Sequence, residues 1–197
     1  MLEYNEVKPG KYILYNGEPY EVLESHVART QMRKPQNQTK LRSMLSGRIT
    51  PVSFHSSERI PEADIDSRLI KFIYESRGQY CFSEIKDASK RFFLDSAIIG
   101  PQVKFLKGDT EVSALMFTSE DSDEPKIIGI KMPVKMELLV KEAPPAVRGN
   151  TVQGGTKQIT LETGAVINSP LFVNEGDTIR VNTETGEYVE RVDKKLQ

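Results

Sequence analysis

The chain contains a single cysteine, no tryptophan and only two histidines. A lone Cys81 cannot form an internal disulfide, and its place in the apolar run Gln79-Tyr80-Cys81-Phe82 reads as an inert strand residue. So few histidines and cysteines leave little material for a transition-metal site, and none is expected. No apolar stretch approaches the roughly 20 residues needed to span a bilayer, so no membrane contact is expected. The opening Met1-Leu2-Glu3-Tyr4-Asn5-Glu6 lacks the basic and apolar regions of a signal peptide, which points to the cytoplasm. Net charge is also missing: 27 basic residues stand against 28 acidic ones. The 38% hydrophobic content fits a folded globular chain.

Catalytic signatures are absent as well. His26 and His55 stand without a G-x-S-x-G or H-E-x-x-H pattern, and read as strand-edge histidines satisfied by hydrogen bonds. Gly149 and Gly154-Gly155 are followed by no GK[ST], so they serve backbone conformation rather than a P-loop. The acidic run Glu120-Asp121-Ser122-Asp123-Glu124-Pro125 lacks the spacing and glycine of a calcium loop, and reads as a solvated hairpin end. These absences describe a binding protein, not an enzyme, with no cofactor.

What the chain does have is one local concentration of charge. From Ser25 to Ser57 there are six cations, Arg29, Arg33, Lys34, Lys40, Arg42 and Arg48, and no Asp or Glu. Its centre, from Ala28 to Thr39, is polar and free of glycine, with extended-looking segments on both sides. This reads as a basic hairpin directed at a polyanion, with phosphate contacts from its cations. If all six engaged single-stranded RNA, log K would fall with log salt at a slope of roughly −4. A merely solvated hairpin has the same composition, so charge alone leaves both readings open.

Strand signals dominate the rest. Lys11 to Tyr15 and Pro19 to Glu24 flank Asn16-Gly17, the dipeptide best suited to a type I′ turn. Lys40 to Leu45 forms the return arm of the basic hairpin, with Leu41 and Ser43 on one face and Lys40, Arg42 and Met44 on the other. Ser46-Gly47 then leads into Arg48 to Phe54, and Ser56 to Asp64 is a polar break. The fold class is therefore all-β, opening with a small SH3-like (KOW-like) barrel at 1–64. Strands at Arg68–Tyr74, Gln79–Phe82, Arg91–Leu94, Gln102–Leu106, Val112–Phe117 and Lys126–Met132 suggest an OB-fold barrel at 65–132. Between them, Asp95 or Ser96 caps one helical turn that Gly100 closes. A second OB-fold barrel at 133–197 is built from strands at Val134–Lys141, Lys157–Leu161, Ala165–Asn168, Thr178–Asn182 and Glu187–Val192.

Three groups of residues together resemble the bacterial elongation factor P family. The first is Pro9-Gly10-Lys11 with Asn16-Gly17-Glu18-Pro19-Tyr20-Glu21-Val22, and the second is Lys40-Leu41-Arg42-Ser43-Met44-Leu45-Ser46-Gly47. The third is a series near the end. It comprises Gly149-Asn150-Thr151, Gly154-Gly155-Thr156-Lys157, Leu161-Glu162-Thr163-Gly164-Ala165, Pro170-Leu171-Phe172-Val173, Glu175-Gly176-Asp177 and Thr185 to Val192. The resemblance covers the whole chain.

It implies three barrels in an elongated L-shaped arrangement similar in outline to a tRNA. It further implies a monomeric translation factor that binds the 70S ribosome beside P-site peptidyl-tRNA and promotes peptide bonds at polyproline stalls. By that resemblance the loop Arg29, Thr30, Gln31, Met32, Arg33, Lys34 and Pro35 reaches the tRNA CCA end near the peptidyl-transferase centre. Lys40, Arg42, Tyr188 and Arg191 are then RNA-backbone contacts. Six residues from a strand base near residue 26, at ~3.3 Å each, would carry the tip about 20 Å. Many family members have an enzymatically extended Lys at the tip, and others an Arg. Aligning both arms without gaps puts Met32 there, between Gln31 and Arg33, and Met cannot take such an extension. A slip of one or two residues instead puts Arg33 or Lys34 at the apex, and Lys34 would then be the candidate for modification. The alternative function is a general RNA- or single-strand-binding OB-fold protein. That reading wants aromatics among the cations, and there is none between Tyr20 and Phe54.

Overall fold

In a computed structural model, residues 1–29, 34–119, 124–145 and 155–192 are described. Among them β1 (Leu2–Glu3) pairs with β6 (Arg59–Ile60). Between these two run β2 (Tyr12–Tyr15), β3 (Glu18–Ala28), β4 (Gln36–Ser43) and β5 (Ile49–His55), which form an antiparallel sheet in chain order. The turn from β2 to β3 has φ of 53° at Asn16 and 80° at Gly17. Two positive values are the I′ geometry that matches strand twist, and this explains the dipeptide. Along β4, Asn37, Thr39, Leu41 and Ser43 are buried while Gln38 and Lys40 are exposed. The buried side joins Leu2, Val7, Ile13, Val22, Phe54 and Ile60 in one core.

The paired strands β1 and β6 lie where the sequence showed none. β6 sits inside the polar break, because a two-residue strand with one apolar side chain leaves no periodic signal, while Ile60 still finds Leu2 across the ladder. The expected strand Gln102–Leu106 is instead a 3-10 turn, Pro101–Phe105. Proline at its start presets the φ of a helical turn, and Gly100 at φ 80° supplies the entry bend. Val103 and Phe105 only imitate strand alternation.

The second sheet comprises β7 (Ile65–Ser76), β8 (Gln79–Glu84), β9 (Arg91–Asp95), β10 (Glu111–Phe117) and β11 (Lys126–Lys131), in the order β11-β10-β7-β8-β9. A single helical turn, α1 (Ser96–Ile99), follows β9 and is closed by the Gly100 N–H donating to Ser96 O at 2.9 Å. Asp95 stands at its N-cap without a side-chain cap bond. Cys81 is fully buried in β8. The third sheet comprises β12 (Lys135–Glu142), β13 (Thr156–Leu161), β14 (Val166–Pro170), β15 (Thr178–Asn182) and β16 (Tyr188–Val192), in the order β14-β13-β12-β15-β16. Both five-stranded sheets share one connectivity. The first strand is central, with the second and third to one side and the fourth and fifth to the other. The protein is thus all-β, as its turn spacing and alternation indicate.

By compactness the chain groups into Met1–Leu69 with Ser113–Ile130, and Ile70–Val112 with Lys131–Gln197. In the first unit a second apolar cluster forms from Leu115, Phe117 and Ile128, against which Tyr12, Leu14, Met44 and Ile65 pack. This accounts for Met44 pointing away from Leu41. Burial there raises the Tyr12 phenol above its usual value, the Glu21 carboxylate raises it further, and Arg42 opposes both. A raised folded value means the native state holds the proton longer than the unfolded chain does. Its stabilising contribution is therefore complete below pH ~10 and is lost as pH climbs through the folded value. In a spectrophotometric titration Tyr12 is expected to ionise above the ordinary tyrosine range, and Tyr12→Phe should flatten the alkaline loss of stability. An alkaline limb unchanged by Tyr12→Phe would refute this. In the second unit, the Glu162 carboxylate accepts Leu139 N–H at 2.9 Å and Lys107 Nζ at 3.3 Å, and Lys107 also donates to Glu137 O.

Candidate nucleic-acid interface

The basic hairpin is β3 and β4. Their register runs from Tyr20↔Ser43 to Ala28↔Gln36, interrupted between Val22 and Glu24. That bulge leaves Leu23 unopposed and shifts every later pair by one. The ladder therefore closes around seven residues, 29–35, whose sequence midpoint is Met32. Thr30, Gln31, Met32 and Arg33 lie outside the described residues. Arg29 and Lys34 are exposed, and Pro35 is half-buried with its carbonyl accepting Ser56 N–H at 3.2 Å.

β5 accompanies β4 as far as Gln36↔His55, so the hairpin is backed by a third strand almost to its end. The unsupported reach is accordingly shorter than six residues. Four residues from Ala28 to Met32 span at most ~13 Å at ~3.3 Å each. The strand base lies nearer the tip than the sequence suggested, because Gln36 and Asn37 join the sheet despite their polarity.

Cross-strand partners share a face. On one face lie Ala28, Gln36 and His55, then His26, Gln38 and Ser53, then Glu24, Lys40 and Pro51, then Glu21, Arg42 and Ile49. Both histidines are exposed there. The segment from Ser25 contains no carboxylate, yet two arrive from just before it. Lys40 Nζ is 2.9 Å from the Glu24 carboxylate, and Arg42 pairs with Glu21. Without the bulge, Glu24 would face Thr39 instead of Lys40. Among the described residues, Arg29, Lys34 and Arg48 make no such ion pair. Exposed pairs of this kind are worth ~0–1 kcal/mol, so they lower the net charge of the face more than they stabilise it.

The opposite face contains a residue that sequence reading missed. Asn37 is fully buried, and its Nδ2 donates to Tyr4 O at 2.6 Å and Val7 O at 2.9 Å. The Asn37 Oδ1 has no hydrogen-bond partner. Thr39 lies two residues on, with Oγ1 donating to Val52 O at 2.8 Å. The signal was present: Asn37 has the same inward parity as Leu41, and a polar residue at a buried strand position implies a specific partner.

Tyr188 and Arg191 lie on β16 in the second unit. Tyr188 meets the Phe172 ring edge-on, with centroids 6.4 Å apart, and the Arg191 guanidinium lies 5.6 Å above the same ring. Arg191 is also 3.7 Å from Asp177. Phe172 is 56% exposed, so this group is an aromatic surface carrying a cation. Among the described residues, no helix is long and apolar enough to cross a membrane.

Two family models match. Residues 3–60 fit the elongation factor P KOW-like domain, and residues 136–191 fit the elongation factor P C-terminal domain. An elongation factor P of Natranaerobius thermophilus is 34% identical over 192 residues, covering 98% of each chain. That of Aquifex aeolicus is 36% identical over 191 residues, covering 97% of this chain and 96% of its own. Among solved structures, a eukaryotic translation initiation factor 5A from Methanococcus jannaschii aligns with a TM-score of 0.47 and 14% identity. It covers 66% of this chain and 94% of that one. With relatives more than 30% identical along nearly its full length, this chain belongs to the elongation factor P family of translation factors.

Proposed function

We propose that the protein binds the bacterial ribosome beside P-site peptidyl-tRNA and speeds peptide-bond formation at consecutive prolines by holding the CCA end in place. It acts as a monomer in the cytoplasm, through three barrels at 1–64, 65–132 and 133–197. The loop from Arg29 to Pro35 is the element directed at the CCA end, with Met32 at its apex. Lys40, Arg42, Tyr188 and Arg191 meet RNA backbone. The observation that carries this reading is a hairpin, in a chain of this family, whose last strand pair is Ala28↔Gln36, with Arg29 and Lys34 exposed just beyond it. Cations without carboxylate partners hold phosphates and set register, and they read no bases. Orienting two reacting ends can supply several kcal/mol of barrier reduction with no protein group reacting. Proline, with its ring-constrained nitrogen and locked φ, is a substrate that needs such help.

The experiment is synthesis on a Pro-Pro-Pro template in a reconstituted translation system. The wild-type protein should relieve the stall, Met32→Ala and Arg33→Ala should reduce relief, and the intact mass should equal the sequence mass. No relief by the wild type removes the proposal. Relief abolished by Lys34→Ala alone, with extra mass on Lys34, moves the apex to that residue.

The ion pairs also change the expected salt dependence. Lys40 and Arg42 are already neutralised by Glu24 and Glu21, so their contacts to RNA backbone release no further counterions, and Arg29, Arg33, Lys34 and Arg48 set the slope. The slope of log K against log salt on single-stranded RNA should then be roughly −3. A titration giving a slope near −4 would mean that Lys40 and Arg42 leave Glu24 and Glu21 on binding.

A further inference from the structure

We propose that Asn37 is a positioning residue that ties the stem of the basic loop to the turn at the start of the chain, so that this turn sets where the loop points. This rests on the loop being the working element, and deepens that reading. Asn37 is the second residue after Pro35, at the point where the chain re-enters the sheet from the loop. Its amide spends both protons on two carbonyls of one short turn, Tyr4 O and Val7 O. That turn is held in shape by Glu6, whose carboxylate accepts Glu3 N–H at 2.8 Å and whose own N–H donates to Glu3 O at 2.9 Å. Val7 and Leu2 at its flanks are buried in the same core as Leu41.

The chemistry of the site argues against a role in packing alone. Neighbouring inward positions are filled by Leu41 and Thr39, and Thr39 satisfies its own donor on Val52 O. At Asn37 the protein instead buries an amide whose Oδ1 has no partner. An unpaired buried acceptor is unfavourable, a cost that the two bonds donated to Tyr4 O and Val7 O have to offset. What the amide provides in return is direction. Two hydrogen bonds to two carbonyls on a separate segment fix the rotation of β4 about its axis one residue inside the end of the ladder with β3 and β5. Pro35, held through Ser56 N–H, completes a three-point anchor on the stem. A loop whose sequence contains no glycine inherits its aim from such an anchor.

Two variants test this in the full-length protein. Asn37→Leu keeps the volume and removes both donors. Glu6→Ala, at an exposed residue, slackens the turn without touching the core or the loop. In Pro-Pro-Pro synthesis, Asn37→Leu should lower the plateau rate about tenfold or more at saturating factor, because small displacements of a positioning element can cost up to ~10²-fold. The half-saturating concentration should stay within about twofold, since the phosphate-binding cations are unchanged. Glu6→Ala should shift the same plateau in the same direction by a smaller factor. Amide hydrogen exchange at Lys34, Gln36 and Asn37 should accelerate in both variants, with the third sheet unchanged. If Asn37→Leu cannot fold, Glu6→Ala decides the matter by the same two readouts. An unchanged plateau, or unchanged exchange at those amides, in a folded variant overturns the proposal, as does a rise in half-saturating concentration alone. Should the wild type fail to relieve stalling, the function assigned to the loop falls. The exchange readout would still decide whether Asn37 and the turn hold the stem.

Discussion

Replacing Arg29 and Lys34 together by alanine is expected to weaken binding to the ribosome about 25-fold at ~0.1 M salt, because each lost phosphate contact on single-stranded RNA removes ~0.7 of a released counterion. The reasoning runs through the ion pairs. Lys40 and Arg42 are already neutralised by Glu24 and Glu21, so the working charge of the hairpin is concentrated at the loop and at Arg48. Both substituted residues are exposed, and neither has a carboxylate partner among the described residues, so the unfolding curve should not move. The effect should appear in the half-saturating concentration for relief of Pro-Pro-Pro stalling, and should shrink at high salt. That distinguishes it from Asn37→Leu, which acts on the plateau. A double variant within twofold of wild type at low salt would mean the loop does not meet phosphate.

The largest loss of stability is expected from Phe82→Ala, at about 3–5 kcal/mol. Phe82 is fully buried at the centre of an aromatic row across β7, β8 and β9. Its ring centroid lies 5.4 Å from Phe72 and 6.2 Å from Phe92, so truncation removes two ring contacts and opens a cavity between them. Native domains hold only ~5–15 kcal/mol in total, which makes a loss of this size a large part of the whole. Urea unfolding followed by circular dichroism measures it. A change below ~1 kcal/mol would mean that the neighbours collapse into the space.

Much of this was legible before any coordinates. Asn16-Gly17 announced its hairpin because only residues tolerating positive φ make that turn, and both do so here. The five strands of the third sheet were visible as short runs between turn residues, with inward alternation clearest at Met136, Leu138 and Val140. The concentration of cations between Ser25 and Ser57 needed only counting. Less legible were β6, too short to have a period, and the 3-10 turn at Pro101–Phe105, whose apolar spacing mimics a strand. The roles of single loop residues came from family resemblance rather than from pattern.

By itself the sequence determined the class of the fold, the order of its strands and the sign of its one charged stretch, since alternation, turn residues and charge are local properties of the chain. Only the tertiary structure decided which cations are paired, which polar residue is buried at the base of the loop, and that Phe172 lies beneath Arg191. These depend on register between segments far apart in the chain. A single bulge at Leu23, which no local pattern announces, is enough to bring Glu24 opposite Lys40 and to shift every pair from there to Ala28↔Gln36.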